Sequence, residues 1–147
     1  MEKNAQTLIH LEEIKQLKAR YFRLMDTKQW ADFALVFAEE AEIDVTEDVD
    51  SDEGRVRGRE QIADFIRDAV QDARTVHHGH MPEITLTGPD TAEGIWAMYD
   101  YLEFPSEPGQ SNGLHGYGHY HEKYVYRDGR WQIASMRLSR LRVDRLN

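Results

Sequence analysis

Three imidazoles stand within four positions of the segment TVHHGHMPEI, residues 75–84, in a chain with seven histidines and no cysteine. Imidazole changes charge near neutral pH, so such a cluster can hold a metal, sense pH or abstract a proton. The missing cysteines exclude disulfides, thiolate nucleophiles and thiolate metal ligands together. The segment alternates like a strand, which puts His78 and His80 on one face and His77 on the other. The three cannot converge on one ion without a bulge, and that weakens a metal centre. His115, His119 and His121 share a parity and could meet His78 and His80 across strands, but no carboxylate spacing beside them supports metal ligation. A buried imidazole beside a carboxylate is the stronger chemistry. The carboxylate takes one ring N–H, fixes the tautomer and raises the basicity of the other nitrogen. Asp26, one residue past Met25 at the border of an apolar stripe, is such a carboxylate.

Other polar residues stand where apolar ones belong. Gly94, Trp96, Met98, Leu102 and Phe104 share a strand parity, and Asp100 shares it with them. Ala134, Met136 and Leu138 share another, and Arg140 follows on it. A carboxylate on an apolar face must be paired or carry a desolvation cost. Asp100 and Arg140 therefore either pair with each other, face water at frayed ends, or work in a pocket. Tyr21 lies on the apolar stripe of the first helical segment, where it serves as core or as a hydroxyl donor.

The elements that would position these residues follow from periodicity. Leu8, Leu11, Ile14, Leu17, Tyr21, Phe22 and Met25 recur at steps of three and four, which predicts an amphipathic helix with Glu12, Glu13, Lys15 and Lys18 off the stripe. Asp26-Thr27 reads as its end, with Thr27 placed to cap a shorter helix containing Trp30, Phe33, Ala34 and Phe37. Ala41, Ile43 and Val45 predict a strand, the acidic TEDVDSDEG at 46–54 a loop, and Ile62, Phe65, Ile66 and Ala69 a third helix. Beyond residue 73 the period becomes two, which predicts strands at about 74–87, 91–104, 114–127 and 130–143. Asp128-Gly129 marks a tight hairpin whose two central residues need positive φ. Helices followed by antiparallel strands imply a single α+β domain over 1–147, with helices against the concave face of a curved sheet.

Composition narrows the function classes. The formal net charge is −9, which disfavours nucleic acid and anionic membrane surfaces as partners. No stretch is apolar and long enough to span a bilayer, and the first residues lack signal-peptide character, so a cytoplasmic protein is expected. No glycine-rich phosphate loop is present.

The segments EEIKQLKARYFRLMDTKQWADFALVF and TVHHGHMPEITL resemble the SnoaL-like group of the nuclear-transport-factor fold, and most closely its bile-acid dehydratase branch. The likeness is near word-for-word over Ile14–Trp30 and His77–Leu86 and continues as a pattern through GIWAMYD, HEKYVYRDGRW and the last strand. It implies a strongly curved mixed sheet forming a cone-shaped barrel. In related lyases of this fold, scytalone dehydratase and a dehydrochlorinase among them, an Asp–His pair abstracts a proton. Carried over by position, the family's site residues fall on Tyr21, Asp26, His77, Asp100 and Arg140. His80 also matches the motif, without a role. The loops 46–54 and 104–113 depart from the bile-acid enzyme, and they would rim the pocket.

The resemblance implies a cofactor-free, metal-free hydro-lyase acting on a hydrophobic, cyclic or aromatic small molecule. His77 would be the base, Asp26 its orienting partner, Tyr21 a donor, Arg140 a positive charge beside the developing oxyanion, and Asp100 a positioning group. Trp30, Phe33, Trp96, Met98 and Tyr120 are candidate walls, or core. Isomerisation, cyclisation and aldehyde-releasing carbon–carbon cleavage begin with the same proton transfer and stay open. So does a non-catalytic binding or dimerisation module. A homo-oligomer, trimer or dimer, is expected, with Trp131, Ile133 and Leu141 on its contact face.

Overall fold

A computed structural model describes residues 1–147. Helix α1 (Ala5–Asp26) is capped by Asn4, whose side chain accepts the Thr7 backbone N–H at 2.9 Å. Its inward face is Ile14, Leu17, Lys18, Tyr21, Leu24 and Met25, while Leu8 is two-thirds exposed. The stripe thus runs later along the helix than the spacing predicts, and Lys18 lies on it. Thr27 closes α1, with the Lys28 N–H bonding to the Met25 carbonyl and the Gln29 N–H to the Leu24 carbonyl. Such a double closure puts the next residue in the left-handed region, where glycine is usual; here it is Lys28, at φ 61°.

Short α2 (Trp30–Ala34) leads into β1 (Phe37–Asp44). The N-cap of α2 is Gln29; Thr27 bonds back to Arg23 instead. The acidic segment is not an irregular loop: it holds α3 (Thr46–Val49) and a 3-10 turn (Asp52–Gly54), then β2 (Arg55–Arg57). Helix α4 (Arg59–Val70) buries Ile62, Ala63, Ile66 and Val70. Four long strands follow: β3 (Arg74–Gly88), β4 (Thr91–Glu103), β5 (Gly113–Arg127) and β6 (Arg130–Arg145). Asp128 and Gly129, at φ 56° and 76°, make the β5–β6 turn.

The sheet order is β2-β1-β6-β5-β4-β3, antiparallel except for the β1–β6 pair. It curls without closing, because edge strands β2 and β3 do not pair, so the architecture is an open cone rather than a barrel. Curvature comes from irregularities in the ladders. β3 slips between His80 and Glu83, where Met81 takes φ 35°. β5–β6 slips between Lys123 and Tyr124 and again between Tyr117 and Gly118.

The first β5–β6 slip reverses the parity of β6. Trp131 and Ile133 turn inward and are 2% and 0% exposed, while Leu141 stays 77% exposed. Trp131 and Ile133 therefore belong to the core and not to a contact face. α1, α2 and α4 cover the concave side, where Phe33, Phe37, Ile62 and Ile133 are fully buried. Each such side chain contributes about 1.5–3 kcal/mol by leaving water. No helix is long and apolar enough to cross a membrane.

Candidate active site

The C-terminal end of α1 meets β3, and this meeting places Asp26 against His77. Asp26 Oδ1 is 2.7 Å from His77 Nδ1, and Oδ2 accepts the His77 backbone N–H at 2.9 Å. Thr75 Oγ1 donates to Asp26 Oδ1 at 2.8 Å and accepts from Lys28 Nζ at 3.2 Å. The left-handed Lys28 thus aims its ammonium at the hydroxyl that holds the carboxylate. Burial pulls the Lys28 pKa down, against the pull of Asp26. An ionised carboxylate only accepts, so the proton between Asp26 and Nδ1 belongs to the ring. Nε2 is left as the acceptor. It stands 3.9 Å from Asp100 Oδ2, beyond hydrogen-bond reach. Phe22 stacks on the imidazole, with planes 11° apart.

His77 opens onto a partly open cavity of about 270 Å³, just below the ~300–1,000 Å³ usual for small-molecule sites. Tyr21, Asp100, Tyr120 and Arg140 also line it, as do apolar side chains such as Phe65, Leu102, Phe104 and Leu138. Asp26 stands behind His77, outside the lining. Burial raises the pKa of both Tyr21 and Tyr120, helped by Glu122 at Tyr21 and by Tyr21, Asp100 and Glu122 at Tyr120, so both hydroxyls stay protonated and able to donate.

Asp100 and Arg140 face the same cavity from β4 and β6. Arg140 Nη1 and Nη2 donate to the two Asp100 oxygens at 2.8 and 2.9 Å. Gly116 of β5 lies between them, and a Cβ there would collide with both groups. Arg140 also donates from Nε and Nη2 to Asp48 of α3, at 2.7 and 3.3 Å. Burial lowers its pKa, but the hydrogen bonds to Asp100 and Asp48 outweigh burial and raise it.

Of the five expected walls, only Tyr120 lines the cavity. Trp30 packs edge-on against Phe33 and donates to Gln71, Phe33 is sealed in the core, and Trp96 donates to Tyr124 Oη at 2.8 Å. Met98 is buried with its sulfur 3.5 Å from Arg140 Nη1. These four are packing and support; the walls come instead from α3, α4 and the far ends of β4 to β6. The other histidines lie elsewhere. His78 and His80 are exposed, His115 bonds Tyr99 at 2.7 Å and His121 bonds Ser139 at 2.9 Å. Strand β4 separates the histidines of β3 from those of β5. A more open depression of about 840 Å³, lined by Glu42, Asp44, Arg55, Glu93, Lys123 and Arg137 among others, holds none of the five expected catalytic residues.

Three contributors escaped periodicity: Thr75, Lys28 and Asp48. Thr75 shares the parity of His77, the one signal that could have found it.

The family model of the SnoaL-like domain matches residues 6–137. The chain belongs to the SnoaL-like family. This SnoaL-like protein is 26% identical over 135 residues to the Gibberella zeae protein called probable cyclase FGR4, covering 87% of this chain and 89% of the relative. Among solved structures, a Novosphingobium aromaticivorans protein assigned to scytalone dehydratase superposes with TM-score 0.82 at 18% identity, over 96% of this chain and 90% of that one. The type 2 hexachlorocyclohexane dehydrochlorinase LinA superposes with TM-score 0.81 at 20% identity, over 96% and 91%. At these identities the superpositions establish the fold.

Proposed function

We propose that this SnoaL-like protein is a lyase that removes a proton from carbon and expels a neighbouring hydroxyl from a hydrophobic, cyclic or aromatic substrate. The observation that carries this reading is the 2.7 Å Asp26–His77 contact with the other ring nitrogen on the cavity. Nε2 takes the proton, and Asp26 offsets the imidazolium charge that forms, help worth ~10²–10⁴-fold in rate. Tyr21 and Tyr120 donate to the developing enolate oxygen, and a preorganised donor in such a site contributes about 3 kcal/mol. The imidazolium returns its proton to the departing hydroxyl, so one C–H and one C–O bond break, one C=C bond forms, and water leaves. The loss of water involves no net oxidation or reduction, and no redox cofactor is required.

The relatives support this class of chemistry, being named for a dehydratase and a dehydrochlorinase. A second reading, ring closure after the same proton transfer, is favoured by the relative named as a cyclase. Incubating the protein with a panel of cyclic β-hydroxyketones and weighing the products separates the two. Loss of one water supports elimination, unchanged mass supports cyclisation or isomerisation, and no turnover by any member removes the lyase reading. We further propose self-association through the outer sheet face, where Val76, Ile95 and Leu141 are 41%, 41% and 77% exposed. Analytical ultracentrifugation finding only monomer would refute it.

A further inference from the structure

We propose that the molecule taken up by this cavity carries a carboxylate, and that Asp48 occupies the place of that carboxylate in the free protein. The inference rests on reading the cavity as the active site and adds the substrate class. Arg140 is gripped on two edges by two different carboxylates. The inner one, Asp100, is 3% exposed, pairs bidentately and sits in a slot that the sheet keeps open at Gly116. That pair is built into the architecture and neutralises the guanidinium.

The outer edge, Nε and Nη2, presents two further N–H groups in the geometry that a carboxylate fills. Asp48 fills it from α3, a helix of four residues none of which is buried, and its side chain is 31% exposed. The segment runs between an Asp44 side chain that caps Thr46 and a left-handed Asp50. Asp48 is therefore bound to Arg140 through one exposed turn, whereas Asp100 is bound through the sheet.

Two carboxylates on one guanidinium leave the trio with one net negative charge. An entering carboxylate that displaces Asp48 leaves that charge unchanged and returns Asp48 to water. A neutral carbonyl or hydroxyl cannot replace a charge-assisted bidentate pair on equal terms. Beyond this edge most of the lining is apolar, with Phe65, Val70, Leu102, Phe104, Leu114 and Leu138, and Glu47 and Arg145 are its remaining charged members apart from His77 and the Arg140 trio. The complementary ligand is a compact hydrophobic body bearing one carboxylate, bound with α3 displaced.

Titration calorimetry with 2-naphthoate and 2-naphthamide, near neutral pH, tests this. The carboxylate is expected to bind about tenfold more tightly than the amide. Asp48→Ala is expected to tighten naphthoate binding by about fivefold, since the competing carboxylate is gone, and to leave the amide unchanged. Asp48→Asn keeps the helix-forming segment closer to native and is expected to behave alike. Arg140→Lys is expected to erase the preference. Equal affinity for acid and amide, no binding of either, or weaker naphthoate binding by both Asp48 variants would overturn the proposal. His77→Ala separates it from the proton-transfer reading. The naphthoate preference is expected to survive in that variant even where all turnover is lost.

Discussion

Two ion pairs cross the inside of this fold, and they differ in what they face. Lys18 of α1 and Glu122 of β5 meet at 2.6 Å with both side chains 0% exposed. Tyr124 donates to the second Glu122 oxygen at 2.7 Å, and Trp96 donates to Tyr124. The Lys18 ammonium lies 3.6 and 3.7 Å from the ring centres of Tyr21 and Tyr120. The polar side-chain atoms of Lys18, Glu122, Tyr124 and Trp96 are all spoken for, and none of these four residues lines the cavity. Arg140 and Asp100 form an equally well-made pair, but they line the cavity and share it with His77. The same chemistry serves packing where it is sealed, and where a cavity reaches it the proposed reaction has charged groups to use.

Breaking each region separately sharpens that contrast. Asp26→Asn is expected to cost ~10²–10⁴-fold in turnover, with a melting temperature close to wild type; unaltered turnover would remove Asp26 from the mechanism. Lys18→Met is expected to do the reverse. It strands the Glu122 carboxylate in the core, a loss of roughly 3–5 kcal/mol, while the folded fraction keeps turnover within a few-fold. Lys18→Met combined with Glu122→Leu is expected to recover most of that stability, because no charge is then left unpaired. Urea unfolding reads both, and failure of the double variant to recover would show that the pair does more than satisfy itself.

A pH series probes the sealed pair further. Burial drives the Lys18 ammonium down from 10.5 to about 8, although Glu122 pulls the other way. Between those values the unfolded chain holds a proton that the folded one has released. Stability therefore gains a contribution from Lys18 as pH rises through this window, and below it the buried charge counts against folding. The double variant, lacking the group, is expected to show a smaller rise over the same range in urea titrations; parallel profiles would contradict this.

The smallest effect is expected at Thr75. Thr75→Val removes one donor from Asp26, about 1 kcal/mol or a several-fold loss of turnover. Thr75→Ser is expected to restore it, whereas a purely structural role would leave the serine variant as impaired as the valine.

Much of this architecture was legible in residue spacing. The periodicity marks α1, α4 and all four long strands, and the Asp-Gly pair marks its hairpin, because helix and strand periods and turn chemistry are local properties. Strand parity also singles out Asp100 and Arg140 as polar residues on an apolar face, and the structure pairs them there. The illegible parts depend on long-range events. A ladder slip near Lys123 turns Trp131 and Ile133 inward, which no alternation within β6 alone reveals. Lys18 reads as a solvated lysine, yet it sits four residues after Ile14 and three before Tyr21, on the buried stripe. Its inward position makes sense only once Glu122 faces it across 104 residues of sequence. The α3 turn has no apolar period, and what holds it inward is the Asp48 contact with Arg140, distant in the chain. Phe33 and Trp96 fill the core, and Trp30 packs half-buried against it, rather than lining the cavity, because composition cannot distinguish two apolar destinations for an aromatic ring.

The proposed mechanism turns on His77 taking a proton from carbon. The most direct measurement follows hydrogen loss from a turned-over cyclic hydroxyketone in D₂O by NMR, comparing wild type with His77→Ala. Exchange or elimination at the acidic carbon is expected with wild type and none above the uncatalysed rate with a folded His77→Ala. Undiminished hydrogen loss in that variant would contradict it.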